Sequence, residues 1–300
     1  MENDRFDQAR KVISQLQQSP HMTVVRTVLS CQLALRTHGF EQSVAQLDAL
    51  PPDLARSGIV QLLRAESFYG EDDLLNAVPN YAFALKFAET QAVAEERMRE
   101  AFQKVKEEQG ATASRNVIDE VISLCPSQPL PLRLAAELAI EQQEWALASS
   151  YLKRLRRLEP DSPAADISLA RVCVEQQLFS DAADHLTRAL RVAHDDLSAH
   201  ELAATVSYRL GRPQEALSHV DRLIDLGYPT PNLLLAKAKL LALLNRTDEA
   251  IELLSQQIGQ FPEETALHLE LAKTLNAHGM PAQAISLIDQ WRQLAPASVQ

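Results

Sequence analysis

Apolar side chains recur every three or four residues along most of the chain, with polar residues between them. Ala148, Leu152, Leu155 and Leu158 form one such stripe. This spacing places the apolar residues on one face of an α-helix, and the Leu, Ala, Glu, Gln and Arg that fill these segments favour helix. No alternating apolar–polar run of the strand type stands out. The pattern therefore predicts an all-α protein.

Short breaks separate the apolar stripes and carry signals for the ends of helices. They contain proline or glycine at Pro126, Pro129, Pro160, Pro163, Gly211, Pro213, Pro229, Pro231, Pro262, Pro281 and Pro296. Asp161 and Ser162 precede Pro163, so that a capping side chain stands before a proline in the first helical turn. The breaks are close together, which predicts helices joined by short turns.

Several residue types recur with a spacing of 34 residues in the C-terminal part of the chain. One column holds Ala136, Ala170, Ala204, Ala238 and Ala272, and a second holds Ala148, Ala182, Ala216, Ala250 and Ala284. The apolar residues Leu152, Leu186, Val220, Leu254 and Ile288 and the turn residues Gly211, Asn245 and Gly279 share this spacing. Small residues let two helices approach closely, while larger residues fill the ridges around them. Each repeat is therefore predicted to be a helical hairpin, and stacking of successive hairpins builds a continuous core.

These columns resemble the tetratricopeptide repeat (TPR) family, whose unit has 34 residues and small residues at repeat positions 8 and 20. The resemblance covers residues 129–296 as five units. It implies an α-solenoid of stacked helix-turn-helix units that forms a right-handed superhelix. Two family positions differ: Leu132, Asp166, His200, Leu234 and His268 replace the aromatic at position 4, and Ala139, Cys173, Ser207, Leu241 and Leu275 replace the tyrosine at position 11.

The N-terminal region repeats the same columns less regularly. Ser43 and Ala77 are 34 residues apart, but Ser114 follows Ala77 by 37 residues, and Phe102 holds the small-residue position before Ser114. The sequence therefore predicts a divergent TPR-like region over residues 1–125, with an insertion near 78–110, followed by a regular array over 126–300. Pro79 is expected in a first helical turn. Residues 81–109 form either one long helix or two closely joined helices.

Composition and charge limit the partners and the compartment. The formal net charge is -11, which argues against a general binder of nucleic acid or anionic membrane, because such proteins need a basic face. The three cysteines are scattered and suit neither a disulfide framework nor a zinc site. The polar start of the chain lacks the pattern of a signal peptide, and the longest apolar stretch is broken by Lys237 and Lys239, so that no membrane insertion is expected. These features predict a cytoplasmic protein.

The sequence holds no constellation that indicates catalysis. No P-loop, G-x-S-x-G or G-x-G-x-x-G motif is present. Histidines such as His185 and His219 are separated by the repeat length, which reflects the repeat rather than a metal site. We therefore expect no catalytic residues, no metal, no cofactor and no enzyme activity.

The resemblance directs attention to the groove that the first helices of TPR units line. Repeat positions 2, 5, 9 and 12 face it, and they supply the candidate partner-binding residues Arg133, Arg171, Tyr208, Asn232, Leu235, Lys239, Leu269, Lys273 and Asn276. Basic and apolar side chains alternate there, as suits a peptide that carries acidic residues. The leading hypothesis is a non-enzymatic scaffold or adaptor that binds a partner protein or peptide. The alternative is a regulatory or sensor protein that binds a ligand or controls a partner enzyme, with a pocket at the irregular 78–110 segment.

The last predicted helix, residues 281–294, carries the apolar Ile285, Ile288 and Trp291. Six residues follow it, too few for a further helix that would cover this face. Terminal repeats normally need a polar outer surface. The sequence therefore predicts that this end docks on a partner or pairs as a homodimer through the C-terminal helix.

Overall fold

The structure of the protein is a computed structural model that describes residues 2–16 and 20–294. Within these residues every regular element is an α-helix, and none is a strand. The chain divides into two compact units, residues 1–159 (unit 1) and residues 160–300 (unit 2). The all-α fold class predicted from the apolar spacing is confirmed.

Unit 1 contains ten of the described helices. They are α1 (Glu2–Gln15), α2 (Pro20–Arg36), α3 (Phe40–Asp48), α4 (Pro52–Ala55), α5 (Gly58–Gly70), α6 (Leu74–Ala84), α7 (Ala88–Glu108), α8 (Gly110–Leu124), α9 (Pro129–Glu141) and α10 (Trp145–Leu158). Unit 2 contains α11 (Pro163–Glu175), α12 (Phe179–Val192), α13 (Leu197–Arg209), α14 (Pro213–Asp225), α15 (Pro231–Leu243), α16 (Thr247–Gln260), α17 (Thr265–Ala277) and α18 (Pro281–Leu294).

Consecutive helices pack as hairpins, and consecutive hairpins stack. In unit 2 the hairpins are α11 with α12, α13 with α14, α15 with α16, and α17 with α18. The second helix of each hairpin also contacts the first helix of the next, as α12 does with α13. In unit 1 α5 packs on α6, and α9 packs on α10, in the same way. Each unit is thus an α-solenoid stack of helical hairpins.

The two alanine columns lie in the core, as predicted. Ala182, Ala216 and Ala250 are fully buried in their second helices. The first-helix column is also buried except at Ala204, which is partly exposed and packs against the apolar cluster that extends from α14 to α18. Burial of such small side chains is what allows the paired helices to approach closely.

Inside each regular hairpin, a residue with a left-handed backbone conformation follows the first helix and begins the turn. Positive φ angles occur at Gln143 (59°), Gln177 (59°), Gly211 (70°), Asn245 (60°) and Gly279 (81°). The next residue then bonds back into the helix, as the Arg212 N–H does to the Ser207 carbonyl at 2.9 Å. This bond pattern satisfies a carbonyl group that the helix end would otherwise leave unpaired. The same closure therefore recurs at every 34-residue step of the regular region.

Unit 1 repeats the small-residue packing with a register change. Cys31, Ser43, Ala65 and Ala77 are all fully buried, and the Ser67 hydroxyl donates a hydrogen bond to the Ser43 hydroxyl oxygen at 2.8 Å. Residues 81–109 hold the end of α6 and the whole of α7, so that the two-helix alternative is the one observed. The predicted change from a divergent to a regular region at residues 125–126 concerns sequence pattern and stays a prediction.

The prediction for Pro79 is wrong, because this residue lies inside α6 rather than in its first turn. The helix begins earlier, at Leu74, where the Asp73 carboxylate accepts a hydrogen bond from the Asn76 N–H at 3.3 Å. Because proline has no N–H, α6 lacks one internal hydrogen bond at this residue. Burial of Leu74, Ala77 and Tyr81 on one face of α6 stabilises the longer helix.

Candidate functional site

The predicted partner-binding residues of unit 2 all lie on its first helices. Within this set α11 contacts α13, and α15 contacts α17. We call the exposed side of these four helices the first-helix face. Seven of the predicted residues are exposed on it: Arg171, Tyr208, Asn232, Lys239, Leu269, Lys273 and Asn276. Leu235 is half-buried and packs against the apolar cluster of unit 2, so it supports the face more than it presents a free contact.

The two predicted lysines, Lys239 and Lys273, lie on either side of one acidic residue. The carboxylate of Glu270 lies 4.0 Å from Lys239 Nζ and 3.9 Å from Lys273 Nζ. The Glu270 side chain is only 17% exposed, whereas those of Lys239 and Lys273 are 52% and 73% exposed. Glu270 therefore holds the two ammonium groups near each other, and the three side chains together keep one net positive charge that faces solvent.

Exposed apolar area lies on the same face. The Tyr208 and Leu269 residues are 54% and 44% exposed, and Leu243 is 56% exposed. Lys237, by contrast, is paired with Asp221 at 2.7 Å, so that a partner would have to compete with Asp221 for its ammonium group. The face thus offers basic and apolar contacts, supplied chiefly by α15 and α17.

Arg133, the remaining predicted residue, lies on α9 in unit 1. Its guanidinium donates a hydrogen bond to the Glu159 carboxylate at 2.8 Å. The charge of Arg133 is therefore largely compensated within unit 1. A partner that bound Arg133 would compete with Glu159 for the guanidinium.

Glu270 is the residue of this face that the sequence reasoning missed. It stands three residues before Lys273, a spacing at which two helical side chains are neighbours. The sequence spacing therefore indicated the contact between Glu270 and Lys273. The contact with Lys239 depends on the packing of α15 against α17 and has no local signal.

A second polar network joins α7 to the preceding hairpin of unit 1. Arg97 donates to both carboxylate oxygens of Glu66, each at 2.7 Å, and to Glu100 at 2.6 Å. The Tyr81 hydroxyl donates to Glu66 at 3.0 Å, and the Tyr69 hydroxyl donates to Glu100 at 2.7 Å. Burial raises the pKa of the Tyr81 hydroxyl, and the hydrogen bond from Tyr69 lowers the pKa of Glu100. These groups satisfy one another, so the network fixes helix packing.

Buried polar pairs occupy the repeat position that holds an aromatic residue in the TPR family. The Asp166 carboxylate accepts hydrogen bonds from Arg188 and lies 2.7 Å from His185 Nδ1. One repeat later, His200 contacts His219, with 3.0 Å between the Nδ1 atoms. These contacts join the two helices of one hairpin, which explains why polar residues are accommodated at a buried position.

Neither a metal site nor a membrane helix is found in the parts of the chain that the structure describes. No group of three or more His, Cys, Asp or Glu side chains in residues 2–16 and 20–294 is arranged to hold a metal ion. The helices of these same residues include none that is long and apolar enough to span a membrane. All three cysteines are buried, and burial raises the pKa of the Cys31 and Cys125 thiols.

Comparison with known proteins agrees with this hairpin architecture. The family model described as "Tetratricopeptide repeat" matches residues 139–206 and 241–300. Comparison of the sequence with curated proteins gives no match.

Solved structures share the fold at low sequence identity. The structure of YrrB, "a TPR protein with an unusual peptide-binding site", is 18% identical, with a TM-score of 0.52 over 61% of this chain and 94% of that chain. The MamA protein is 13% identical, with a TM-score of 0.51 over 55% of this chain and 90% of that chain. MamA from Desulfovibrio magneticus RS-1 is 14% identical, with a TM-score of 0.50 over 55% and 94% of the two chains. The stacked hairpins and buried alanine columns agree with the family match, which identifies residues 139–206 and 241–300 as tetratricopeptide repeats.

Proposed function

We propose that the protein is a non-enzymatic scaffold or adaptor whose first-helix face in unit 2 binds a partner peptide that carries acidic residues. The observation that carries this proposal is the arrangement of Lys239 and Lys273 around Glu270. Two exposed ammonium groups against one carboxylate leave a net positive charge on a chain whose net charge is -11. A positive site of this kind steers acidic segments to it and selects against basic ones.

The exposed apolar residues of the same face define the rest of the partner. Tyr208 and Leu269 are large, exposed side chains on the same face, and aromatic anchors commonly supply much of the binding energy of an interface. A peptide with an apolar residue beside an acidic one matches this combination. YrrB, the structural neighbour with a peptide-binding site, gives independent support for peptide binding by such a fold.

The experiment measures binding of fluorescent acidic–apolar peptides by anisotropy and compares two doubly substituted proteins. Lys239→Gln with Lys273→Gln removes the positive charge of the face without adding negative charge beside Glu270. Lys153→Gln with Arg157→Gln removes two charges from exposed positions of α10 in unit 1 and is the matched control. We expect the first protein to bind about tenfold more weakly or worse, a loss of about 1.4 kcal/mol, and the control to bind as the wild type does.

Salt dependence adds a second readout. Exposed charges are screened over about 8 Å at physiological ionic strength, so added salt is expected to weaken binding to the wild type more than to the Lys239→Gln and Lys273→Gln protein. Equal affinity of the two doubly substituted proteins would contradict the proposal. So would a set of acidic–apolar peptides of which none binds the wild type.

Pairing through the C-terminal helix stays a prediction. Ile285 and Ile288 of α18 are 62% and 37% exposed, and residues 295–300, which follow α18 and entered that prediction, lie outside the described residues. Sedimentation of the wild type and of Ile288→Glu at micromolar concentration tests it, and a monomeric wild type would remove the homodimer. The cytoplasmic location also stays a prediction of the sequence.

A further inference from the structure

Unit 1 contains a cavity of about 240 Å³ between α7 and α9. Arg99, Phe102, Gln103 and Lys106 line it from α7, and Leu134 and Glu137 line it from α9. The four residues of α7 are spaced by three or four positions, which places them on one face of the helix. The cavity lies in the irregular segment of the repeats, where Phe102 holds the position that alanine holds in the regular units.

The cavity has an apolar floor. Phe102 is 2% exposed and Leu134 is 6% exposed, so both are packed in place by the core of unit 1. Pockets for drug-sized molecules occupy roughly 300–1,000 Å³. A cavity of about 240 Å³ therefore suits one small metabolite rather than a folded partner.

Two of the four polar side chains around the cavity already have partners. Lys106 is paired with Glu141 at 2.7 Å, and Gln103 donates to Glu107 at 2.7 Å. The remaining charged pair, Arg99 and Glu137, is different. Among the residues that the structure describes, neither side chain forms a hydrogen bond or an ion pair, even with the other.

Arg99 and Glu137 carry opposite charges, line the same cavity and form no ion pair with each other. This arrangement favours a ligand that carries both a negative and a positive charge. A simple anion would be attracted by Arg99 but repelled by Glu137, and a simple cation would meet the reverse. A compact zwitterion satisfies both groups at once, with charge-assisted hydrogen bonds that are stronger than neutral ones. Its remaining substituent would lie against Phe102 and Leu134.

We propose that the α7–α9 cavity binds a small zwitterion of the α-amino acid type. Its carboxylate pairs with Arg99, its ammonium group pairs with Glu137, and an apolar side chain contacts the floor. This site is separate from the first-helix face of unit 2 and does not depend on peptide binding there.

The test uses the full chain and ligand-observed NMR titrations with a panel of the natural amino acids. L-leucine is compared with 4-methylpentanoate, which lacks the ammonium group, and with 3-methylbutylamine, which lacks the carboxylate. We expect an apolar amino acid to bind and both of the singly charged analogues to bind at least tenfold more weakly.

Two variants should each weaken the binding of L-leucine, and each should improve the binding of a different singly charged analogue. Glu137→Gln is expected to weaken L-leucine about tenfold and to improve 4-methylpentanoate, whereas Arg99→Gln should weaken L-leucine and improve 3-methylbutylamine. Both residues are exposed, so both variants should fold, which circular dichroism checks. Arg157→Gln on α10 is the control and should bind as the wild type does. Absence of binding by every amino acid, or binding that neither variant changes, would overturn the proposal.

Discussion

The Nδ1 atoms of His200 and His219 lie 3.0 Å apart, and His200 Nε2 lies 2.8 Å from the carbonyl oxygen of His194. A carbonyl oxygen only accepts hydrogen bonds, so His200 must donate from Nε2. In its neutral form His200 then has an unprotonated Nδ1, which accepts the proton on His219 Nδ1. The geometry thus assigns a neutral tautomer to each ring.

Acid should weaken this pair and with it unit 2. Burial lowers the pKa of His219, and the nearby His200 lowers it further, against a smaller opposite effect of Glu215. A histidine whose folded-state pKa is depressed stabilises the fold above its unfolded pKa of about 6.5, and that contribution is lost as the pH falls below this value.

We therefore expect the melting temperature to fall as the pH is lowered from about 7.5 to about 5.5, a range that includes the ordinary histidine pKa. His219→Gln should flatten this dependence, whereas His38→Gln, at an exposed position of unit 1, should leave it in place. The same pH dependence in wild type and His219→Gln would show that the imidazole pair does not control it.

The buried alanine column predicts a large difference between two identical substitutions in one helix. Ala148 in α10 is fully buried, and Ala146, two residues earlier, is exposed. Ala148→Leu should lower the free energy of unfolding by about 1–3 kcal/mol, because the added carbons overpack a close helix contact. Ala146→Leu should change it by about 0.5 kcal/mol or less. Urea unfolding of both variants measures the difference, and equal effects would contradict the packing of this column.

The repeat columns could be predicted from the sequence because each depends on local residue size at a fixed spacing. The hairpin turns show the limit of that approach. Gly211 and Asn245 mark their turns by residue type, but Gln143 and Gln177 adopt the same left-handed conformation without a residue that favours it. Only the 34-residue spacing indicated them.

The candidate site was predictable to a lesser degree. Lys239 and Lys273 follow from repeat positions, whereas the effect of Glu270 on both depends on how α15 packs against α17. Similarly, Glu66 stands at repeat position 9, one of the positions expected to face the groove. In the structure Arg97, 31 residues later in the chain, forms an ion pair with it. Long-range ion pairs of this kind carry no periodic signal, so sequence reasoning overestimates the number of free polar groups.

The contact between Arg97 and Glu66 should hold α7 against α5. Arg97 binds both oxygens of the carboxylate, a geometry that gives strong charge-assisted hydrogen bonds. Both side chains are partly exposed, at 29% and 24%, which limits their contribution. We expect a coupling free energy of about 0.5–3 kcal/mol in a double-mutant cycle of Arg97→Met and Glu66→Gln. Additive effects would show that the two residues stabilise the fold independently.

Glu270 should restrain the binding of acidic peptides at the first-helix face. Its carboxylate neutralises part of the charge of Lys239 and Lys273, so a ligand carboxylate must share or displace these contacts. Glu270→Gln is expected to strengthen the binding of acidic peptides severalfold and to increase its salt dependence. Glu252→Gln, at an exposed position of α16, alters the net charge equally and is the control. Weaker binding by Glu270→Gln would mean that Glu270 orients the lysines rather than competing with the ligand.

Two glycines should respond to alanine with opposite signs. Gly58 is the first residue of α5, and a Cβ added there would lie 2.6 Å from Thr90 Oγ1 and 2.7 Å from Phe87 Cβ. Neither neighbour moves easily: the Thr90 hydroxyl donates to the Ala84 carbonyl at 2.7 Å, and Phe87 Cβ is fixed to the backbone. Gly259 in α16 has open space around the same position.

Gly58→Ala should therefore lower the free energy of unfolding by about 1–3 kcal/mol through overpacking at the start of α7. Gly259→Ala should raise it by up to about 1 kcal/mol, because alanine loses less conformational entropy than glycine in a helix. Thermal and urea unfolding of the two variants, measured side by side, give the signs directly. A stabilising effect of Gly58→Ala would contradict the close approach of α5 to the 87–90 segment, which brings α7 alongside the hairpin of α5 and α6.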